Sequence, residues 1–392
     1  MSEKDWVVIN ISGKDRVGII ADISKVFAEN NLNIIDIGHT VIHKMFSMFM
    51  IVDLSLGRIS CSELQEKLYA MRDELSLNIE LSKLENEPLA KCTNCVMKKK
   101  YVLSVVARNR TGLVYEIANY LSLEKVNILK ISLVARDNLI TIEMLLDIGT
   151  KSAKELRCVL REKGASLGMD IVFQREDIFS REKRLIVFDM DSTIVDAEII
   201  DEIAKKANVE SRVKALTQRA MNGEMDFKES LRLRVKLLMG LDESVLKDVY
   251  DNLRLTPGAE ELIRALKLQG YKTALVSGGF TYFTDKLNER LNFDHVYANK
   301  LVIEDNRLTG EIEGDIIDAL KKWEIIEELR MKYGLQKDQV VAVGDGANDS
   351  LMLENAGLGI AFNAKEALKK VASGSISKEN FVGLLNVLRI RN

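Results

Sequence analysis

The chain repeats itself at an offset of 94 residues: Asp15-Arg16-Val17-Gly18 opens a stretch ending near Asn33-Ile34, and Asn109-Arg110-Thr111-Gly112 opens a similar one ending near Asn127-Ile128. That period is too long for a solenoid unit and reads as a duplicated domain. In the first copy, apolar and β-branched runs predict strands over Trp6–Ile11, Asn33–Thr40, Met45–Leu54 and Asn78–Leu81. Helical spacing over Val17–Ala28 puts Ile20, Ile23 and Phe27 on one face, and Ser62–Leu75 supplies a second helix. The second copy keeps the order: strands Tyr101–Ala107, Asn127–Val134, Leu139–Leu146 and Asp170–Phe173, with helices Gly112–Ser122 and Ala153–Lys163. The pattern is β-α-β-β-α-β twice, which is ferredoxin-like α+β. Residues 85–100 are polar, hold Pro88 and separate the copies, so the expected modules are 1–87 and 98–176.

From about Arg184 the pattern changes. Leu185–Phe188, Thr273–Val276, Val340–Val343 and Leu358–Phe362 are short continuous apolar runs, as parallel strands buried on both faces require. Helical segments lie between them, which predicts a doubly wound, Rossmann-like α/β domain over 184–392. A largely helical insertion, about Asp196 to Arg254, follows the first strand, and a strand pair, Tyr297–Glu304 and Leu308–Glu313, turns at Asp305-Asn306.

Composition narrows the chemistry. With 56 Lys+Arg against 59 Asp+Glu and no basic block, nucleic acid is not the expected partner. No apolar run approaches the ~18–20 residues that cross a bilayer, and Met1-Ser2-Glu3-Lys4-Asp5 lacks a signal-peptide pattern, so no membrane association and a cytoplasmic location are expected. Four cysteines do not make a disulfide framework in 392 residues. With three histidines only, carboxylates become the first place to look for catalysis.

Three of the buried-strand candidates end in polar clusters: Asp189-Met190-Asp191-Ser192-Thr193, Ser277-Gly278-Gly279, and Gly344-Asp345-Gly346-Ala347-Asn348-Asp349. Open α/β sheets bind ligands beyond the carboxyl ends of their strands, so the clusters converge if the strands are neighbours. Four aspartates in one place repel each other unless a cation lies among them, and hard oxygens favour Mg²⁺. Ser277 and Gly278 are expected to open a helix, where free N–H groups favour an anion, and Lys321 or Lys322 could add a point charge. Carboxylates, a divalent cation, an N–H cradle and a lysine make a phosphoryl-transfer site. Asp189 would attack phosphorus to form an aspartyl-phosphate. Asp191 would protonate the leaving oxygen and later deprotonate water. Asp345 would help hold the cation.

These clusters resemble the motifs of haloacid-dehalogenase-type phosphatases, and Asp189–Thr193 in particular resembles the DxDST signature of the phosphoserine phosphatase branch. The likeness runs over 184–392 and includes a cap-sized insertion between the first two motifs. It implies hydrolysis of O-phospho-L-serine, the last step of serine biosynthesis. The resemblance assigns Asp189 as nucleophile and Asp191 as acid/base. It gives Asp189, the backbone carbonyl of Asp191 and Asp345 to Mg²⁺, and Asp349 as a supporting acid. Ser277, Lys322 and Asn348 become phosphate contacts, with Lys322 preferred to Lys321, and Gly278 a further substrate contact. Glu198 and Arg234 correspond to residues that read the ammonium and carboxylate of serine. The first helix of the insertion, with Met221 and Phe227 near it, is expected to lie over the site. The repeated modules are similar to ACT domains, which implies that Asp15 to Gly18 and Asn109 to Gly112 border an amino-acid site. L-serine is the logical effector and a homodimer the expected assembly.

Other readings attach to the same residues. Asp345 and Asp349 could cap the following helix, Lys321-Lys322 could be a solvated face, and Gly18 and Gly112 suit turns that need a permissive backbone. Cys92 and Cys95 form one CxxC pair with no second pair or nearby histidine, which is weak for zinc. The competing functions are a phosphatase or phosphotransferase for another small phosphate, a non-catalytic amino-acid sensor, and a metal-binding structural protein.

Overall fold

In the first module, alternating strands give one apolar face that two amphipathic helices can cover. A computed structural model of the chain describes residues 5–84, 100–136, 139–377 and 381–390. Cys92, Cys95, Lys98, Lys99 and the side chain of Met221 lie outside the described part. The chain divides into two compact units, Met1–Val96 and Met97–Asn392. In the first, β1 (Trp6–Lys14), α1 (Ile19–Glu29), β2 (Asn33–Ile42), β3 (Met45–Asp53), α2 (Cys61–Leu75) and β4 (Leu77–Lys83) build an antiparallel sheet in the order β2-β3-β1-β4. Ile19, Ile23 and Phe27 of α1 pack with Leu64 and Leu68 of α2 on Val7, Ile9, Met48 and Met50. The expected row of Ile20, Ile23 and Phe27 is therefore off by one at its start. Gly18 takes φ 101°, the helix begins at Ile19, and Ile19, Ile23 and Phe27 follow the i, i+4 row that leaves Ile20 39% exposed.

The second unit starts with the second copy: β5 (Lys100–Arg108), α3 (Leu113–Leu123), β6 (Asn127–Arg136), β7 (Leu139–Asp147), α4 (Ala153–Ser166) and β8 (Met169–Arg175). The short helix α5 (Glu176–Phe179) leads to β9 (Leu185–Phe188). The insertion is helical, with α6 (Ile199–Lys206), α7 (Glu210–Met221), α8 (Phe227–Lys236) and α9 (Ser244–Asn252). Its two stalks close on each other, Val195 bridging Leu255 and the Asp196 N–H donating to the Arg254 carbonyl at 3.0 Å. The α/β pattern then continues through α10 (Ala259–Leu268), β10 (Lys272–Phe280), α11 (Thr281–Leu291), the hairpin β11 (His295–Glu304) and β12 (Arg307–Glu313), α12 (Ala319–Lys332), β13 (Val340–Gly344), α13 (Ser350–Asn355), β14 (Leu358–Phe362), α14 (Glu366–Val371), β15 (Gly374–Ile376) and α15 (Val382–Val387).

One eleven-stranded sheet runs β12-β11-β10-β9-β13-β14-β15-β8-β5-β7-β6. The chain leaves β9 toward β10 on one side and returns to β13 on the other, so the switch point lies beside β9. Alternate residues of β9 enter opposite cores, Ile186 and Phe188 on one face and Leu185 and Val187 on the other. No helix among the described residues is long and apolar enough to cross a membrane.

The second copy is thus joined to the α/β domain through β8 and β15, paired at Val172 and Gly374. The sheet face opposite α3 and α4 is buried too, and it is mixed: Ser104, Thr141, Glu143, Asp170 and Gln174 lie inside beside Val106 and Val172, which join the core of the α/β domain. Helix α15 packs on β7, and Arg389 pairs with Glu143 while the Ser377 hydroxyl donates to Asp170 at 2.5 Å. Just before α15, Phe381 stacks on Phe362 at 4.4 Å between centroids and meets Phe188 edge-on at 6.2 Å. Phe381→Ala is expected to cost about 3–5 kcal/mol, read as a lower denaturation midpoint in urea. A midpoint within error of the parent would show that this aromatic cluster does not support the junction.

Candidate active site

Each of the three polar clusters occupies the carboxyl end of a central strand. Asp189 follows β9 directly, and its N–H donates to the Val343 carbonyl at 2.9 Å, which fixes it against β13. The chain then tightens into a turn over Met190–Ile194, closed by the Val195 N–H on the Met190 carbonyl at 3.0 Å, with Asp191 extended and Ser192 at φ 52°. This turn swings Asp191 back over the strand end. Its Oδ1 accepts the Ile199 N–H at 2.9 Å, and Oδ2 lies 3.4 Å from the Ser277 hydroxyl. Ser192 donates to Glu198 at 3.1 Å, tying the acid at the start of α6 to the same turn.

The second cluster departs from expectation. Ser277 and Gly278 do not open a helix: β10 continues to Phe280 and α11 begins at Thr281. The β10–β11 register breaks between Val276 and Phe280, so Ser277, Gly278 and Gly279 form a bulge, and the Gly279 N–H donates to Ser277 Oγ at 2.8 Å. An N–H cradle here comes from bulged strand backbone and not from a helix terminus. The bulge packs tightly here: a Cβ on Gly279 would lie 2.6 Å from Met190 Cε and 3.0 Å from Asp191 Oδ2, so a side chain would displace both. A Cβ on Gly278 would lie 3.3 Å from Cζ of Phe227. Phe227 starts α8, so the third helix of the insertion, and not the first, brings it over the site. Asn299, which the sequence did not single out, is buried beside the bulge; one Asn inside a strand-like run carries no signature.

In the third cluster Asp349 is spent on structure. Its Oδ2 accepts the N–H groups of Asp345 at 3.2 Å and Gly346 at 3.1 Å, and its Oδ1 accepts from Lys322 at 2.7 Å. Lys322, fully buried on α12, also donates to Asp189 Oδ1 at 2.6 Å. Lys321 turns outward and pairs with Glu324 at 3.1 Å, which separates the two candidate lysines. Asn348 folds back over Gly346, its Oδ1 2.2 Å from where a Cβ would stand. Asp189, Asp345 and Asp349 offer oxygens within 4.8 Å of one another.

Burial and mutual repulsion set the protonation of these groups. Burial, then the charges of Asp189, Asp349 and Glu198, push Asp345 up to about 9. Burial and Asp189 push Asp349 to about 7 against the pull of Lys322. Asp191 is raised well above the carboxylate range by burial, then by Glu198 and Asp189. Burial alone would lower Lys322, but Asp189 and Asp349 outweigh it and raise the ammonium. The donor set fits a hard divalent cation: with all three carboxylates ionised against one ammonium the cluster would lack two positive charges, the repulsion that raises Asp345 and Asp349 when no cation is there.

Arg234 lies buried on α8, donating to Ser230 O at 3.4 Å and Thr217 Oγ1 at 3.5 Å, with Phe227 6.0 Å from its guanidinium carbon. Burial lowers its pKa, opposed by Asp201, Glu198 and Asp191, so the guanidinium feels the acids of the site. The loop residues of the repeated modules make local bonds. The Asp15 N–H donates to Lys44 O at 2.8 Å, and Gly18 and Gly112 sit at φ 101° and 91°. Asn109 precedes Gly112 between β5 and α3, where Arg110 clasps Glu116 as Arg16 does Asp22 in the first copy.

The chain is similar to known proteins over both of its parts. Residues 183–357 match the haloacid dehalogenase-like hydrolase family, and residues 5–82 and 100–174 match the ACT domain. A phosphoserine phosphatase of Archaeoglobus fulgidus is 53% identical over 75% of this chain and 85% of its own length. One from Mycobacterium tuberculosis is 33% identical over 96% of this chain and 91% of its own. Among solved structures, a HAD family hydrolase of Salmonella enterica aligns with a TM-score of 0.64 at 28% identity, covering 74% of this chain and 98% of that one. A substrate-bound phosphoserine phosphatase aligns at 0.50 and 44% identity, covering 53% and 98%. With relatives of that name matched at 33% identity over 96% of its length and at 53% over 75%, the chain belongs to the phosphoserine phosphatase family of haloacid-dehalogenase-like hydrolases.

Proposed function

We propose that the chain hydrolyses O-phospho-L-serine to L-serine and inorganic phosphate through a phosphorylated Asp189. The observation that carries this reading is the contact of Lys322 with Asp189 Oδ1 at 2.6 Å, beside an Asp191 whose carboxyl burial raises well above the usual carboxylate range. With Oδ1 held by the ammonium, Oδ2 is the oxygen that attacks phosphorus. As the Asp189–phosphorus bond forms, the bond from phosphorus to the seryl oxygen breaks, and Asp191 gives that oxygen its proton. Asp191, now a carboxylate, takes a proton from water as the water attacks phosphorus, and Asp189 and phosphate leave.

Ser277 and Lys322 offer hydrogen bonds to the phosphoryl oxygens, as do the Gly278 backbone and Asn348. Asp189, Asp345 and the carbonyl of Asp191 would hold Mg²⁺, which when bound neutralises charge on the transferring group. Asp349, committed to Lys322 and two backbone N–H groups, keeps the Asp345 loop in place. Glu198 suits the substrate ammonium, and Arg234 can grip its carboxylate with two parallel bonds. Phe227 closes the site from above and limits water.

The proposal divides the chain into regulatory ACT modules, 1–87 and 98–176, and a catalytic domain, 184–392, with its cap at about 196–254. L-serine is the proposed effector at the loops of Asp15 to Gly18 and Asn109 to Gly112. A cytoplasmic homodimer working at the end of serine biosynthesis completes the picture.

The direct test is phosphate release from phosphoserine with and without Mg²⁺. Asp189→Asn is expected to lower kcat by about 10⁴-fold or more; near-parent turnover would refute the role of Asp189. Arg234→Ala removes a charged hydrogen-bonding group and is expected to raise KM for phosphoserine about 10- to 100-fold. The KM for a phosphate ester without a carboxylate should hardly move, and equal effects on both substrates would contradict the carboxylate role.

A further inference from the structure

Strands β10 and β11 pair at Val276↔Tyr297 and resume at Phe280↔Asn299. Between these pairs β10 advances four residues and β11 two, so Ser277–Gly279 bulge out of the ladder. Backbone groups released by a bulge inside a protein must be satisfied from elsewhere. Asn299, only 2% exposed, does this with one side chain. Its Nδ2 donates to the Gly278 carbonyl at 2.8 Å, and its Oδ1 accepts the Ile317 N–H at 2.8 Å.

The peptide joining Gly278 to Gly279 is held at its other end as well, because the Gly279 N–H donates to Ser277 Oγ at 2.8 Å. A hydroxyl that accepts on one side still has a single proton to donate. With Asp191 Oδ2 3.4 Å away, that proton points into the site. Rotation of the peptide would take away the N–H that sets this direction. Ile317 is next to Asp318, which caps α12 and so precedes the helix carrying Lys322. One amide therefore ties the bulge to the approach of the lysine helix.

We infer that Asn299 is a positioning residue for phosphoryl transfer: by pinning the Gly278–Gly279 peptide it aims the Ser277 hydroxyl at the phosphoryl group and holds the bulge in register with Lys322. This rests on the reading of Ser277 as a phosphate contact. A purely structural asparagine would satisfy the same two backbone groups without acting through Ser277, and a double-mutant cycle separates the two roles.

The experiment measures kcat on phosphoserine and the inhibition constant of inorganic phosphate in the full chain with Asn299→Ala, Ser277→Ala and both. Ser277→Ala is expected to lower kcat about 10²-fold, the loss typical of one aimed donor. Asn299→Ala should lower it about 10-fold and weaken phosphate inhibition by a similar factor, in keeping with an effect transmitted through that donor. The double variant should fall no further than Ser277→Ala alone. Losses that multiply in the double variant, or parent values for Asn299→Ala, would overturn the inference. Asn299→Asp keeps the volume and the acceptor but not the donor, and covers the case of an alanine variant that does not fold. It should share the loss, and parent-like turnover would overturn the inference equally. If Ser277→Ala alone keeps full turnover, the role of Ser277 is what fails, and the inference falls with it.

Discussion

A lysine ammonium with no exposed surface, shared between two buried carboxylates, is the interaction on which the rest of this site depends. Lys322 reaches Asp189 at 2.6 Å and Asp349 at 2.7 Å. A buried charge is tolerated only when it is paired and hydrogen-bonded, and removing one partner leaves the other exposed to the full desolvation penalty. Three strands must therefore end at the same place: β9 for Asp189, β13 for Asp349 through its loop, and β10 beside them for Ser277. The doubly wound sheet meets that requirement at its switch point, where β9 is flanked by β10 and β13.

The same geometry explains the small residues around the carboxylates. Close approach of Asp349 to the end of β13 leaves a would-be Cβ on Gly344 2.4 Å from Asp349 Oδ2. Gly279 yields space to Met190 and Asp191 in the same way. These glycines are there for packing of backbone against acid groups, since neither has a positive φ. The helical insertion then adds what the sheet lacks, a buried guanidinium and an aromatic lid, on a stalk whose two chains pair at Val195 and Leu255.

Much of this was legible in the sequence, for identifiable reasons. Buried parallel strands are continuous apolar runs, so Leu185–Phe188 and Leu358–Phe362 have the same bounds in the structure as in the sequence reading. The polar clusters that follow such runs stand out by contrast. Ser277-Gly278 reads as a helix start in the sequence because a bulge and a helix N-terminus use the same residue types, Ser and Gly, and only the register with β11 tells them apart. The residues alone leave Lys321 or Lys322 open and the family resemblance favours Lys322; burial separates the two in the same direction. Tyr101–Ala107 carried an unread signal: it is almost continuously apolar where Trp6–Ile11 alternates toward its end. That difference matches a sheet covered on both faces in the second module. The three residues of β15 are too few to register as a strand by pattern, yet they join that module to the catalytic sheet.

The central claim is that Asp189 carries the phosphoryl group covalently. Quenching the enzyme during turnover of phosphoserine with borohydride, which reduces an acyl-phosphate to an alcohol, and sequencing the peptides by mass spectrometry tests it directly. The account predicts homoserine at position 189 and at no other aspartate. Turnover with Asp189 recovered unmodified, or reduction at Asp191 or Asp345 instead, would contradict it.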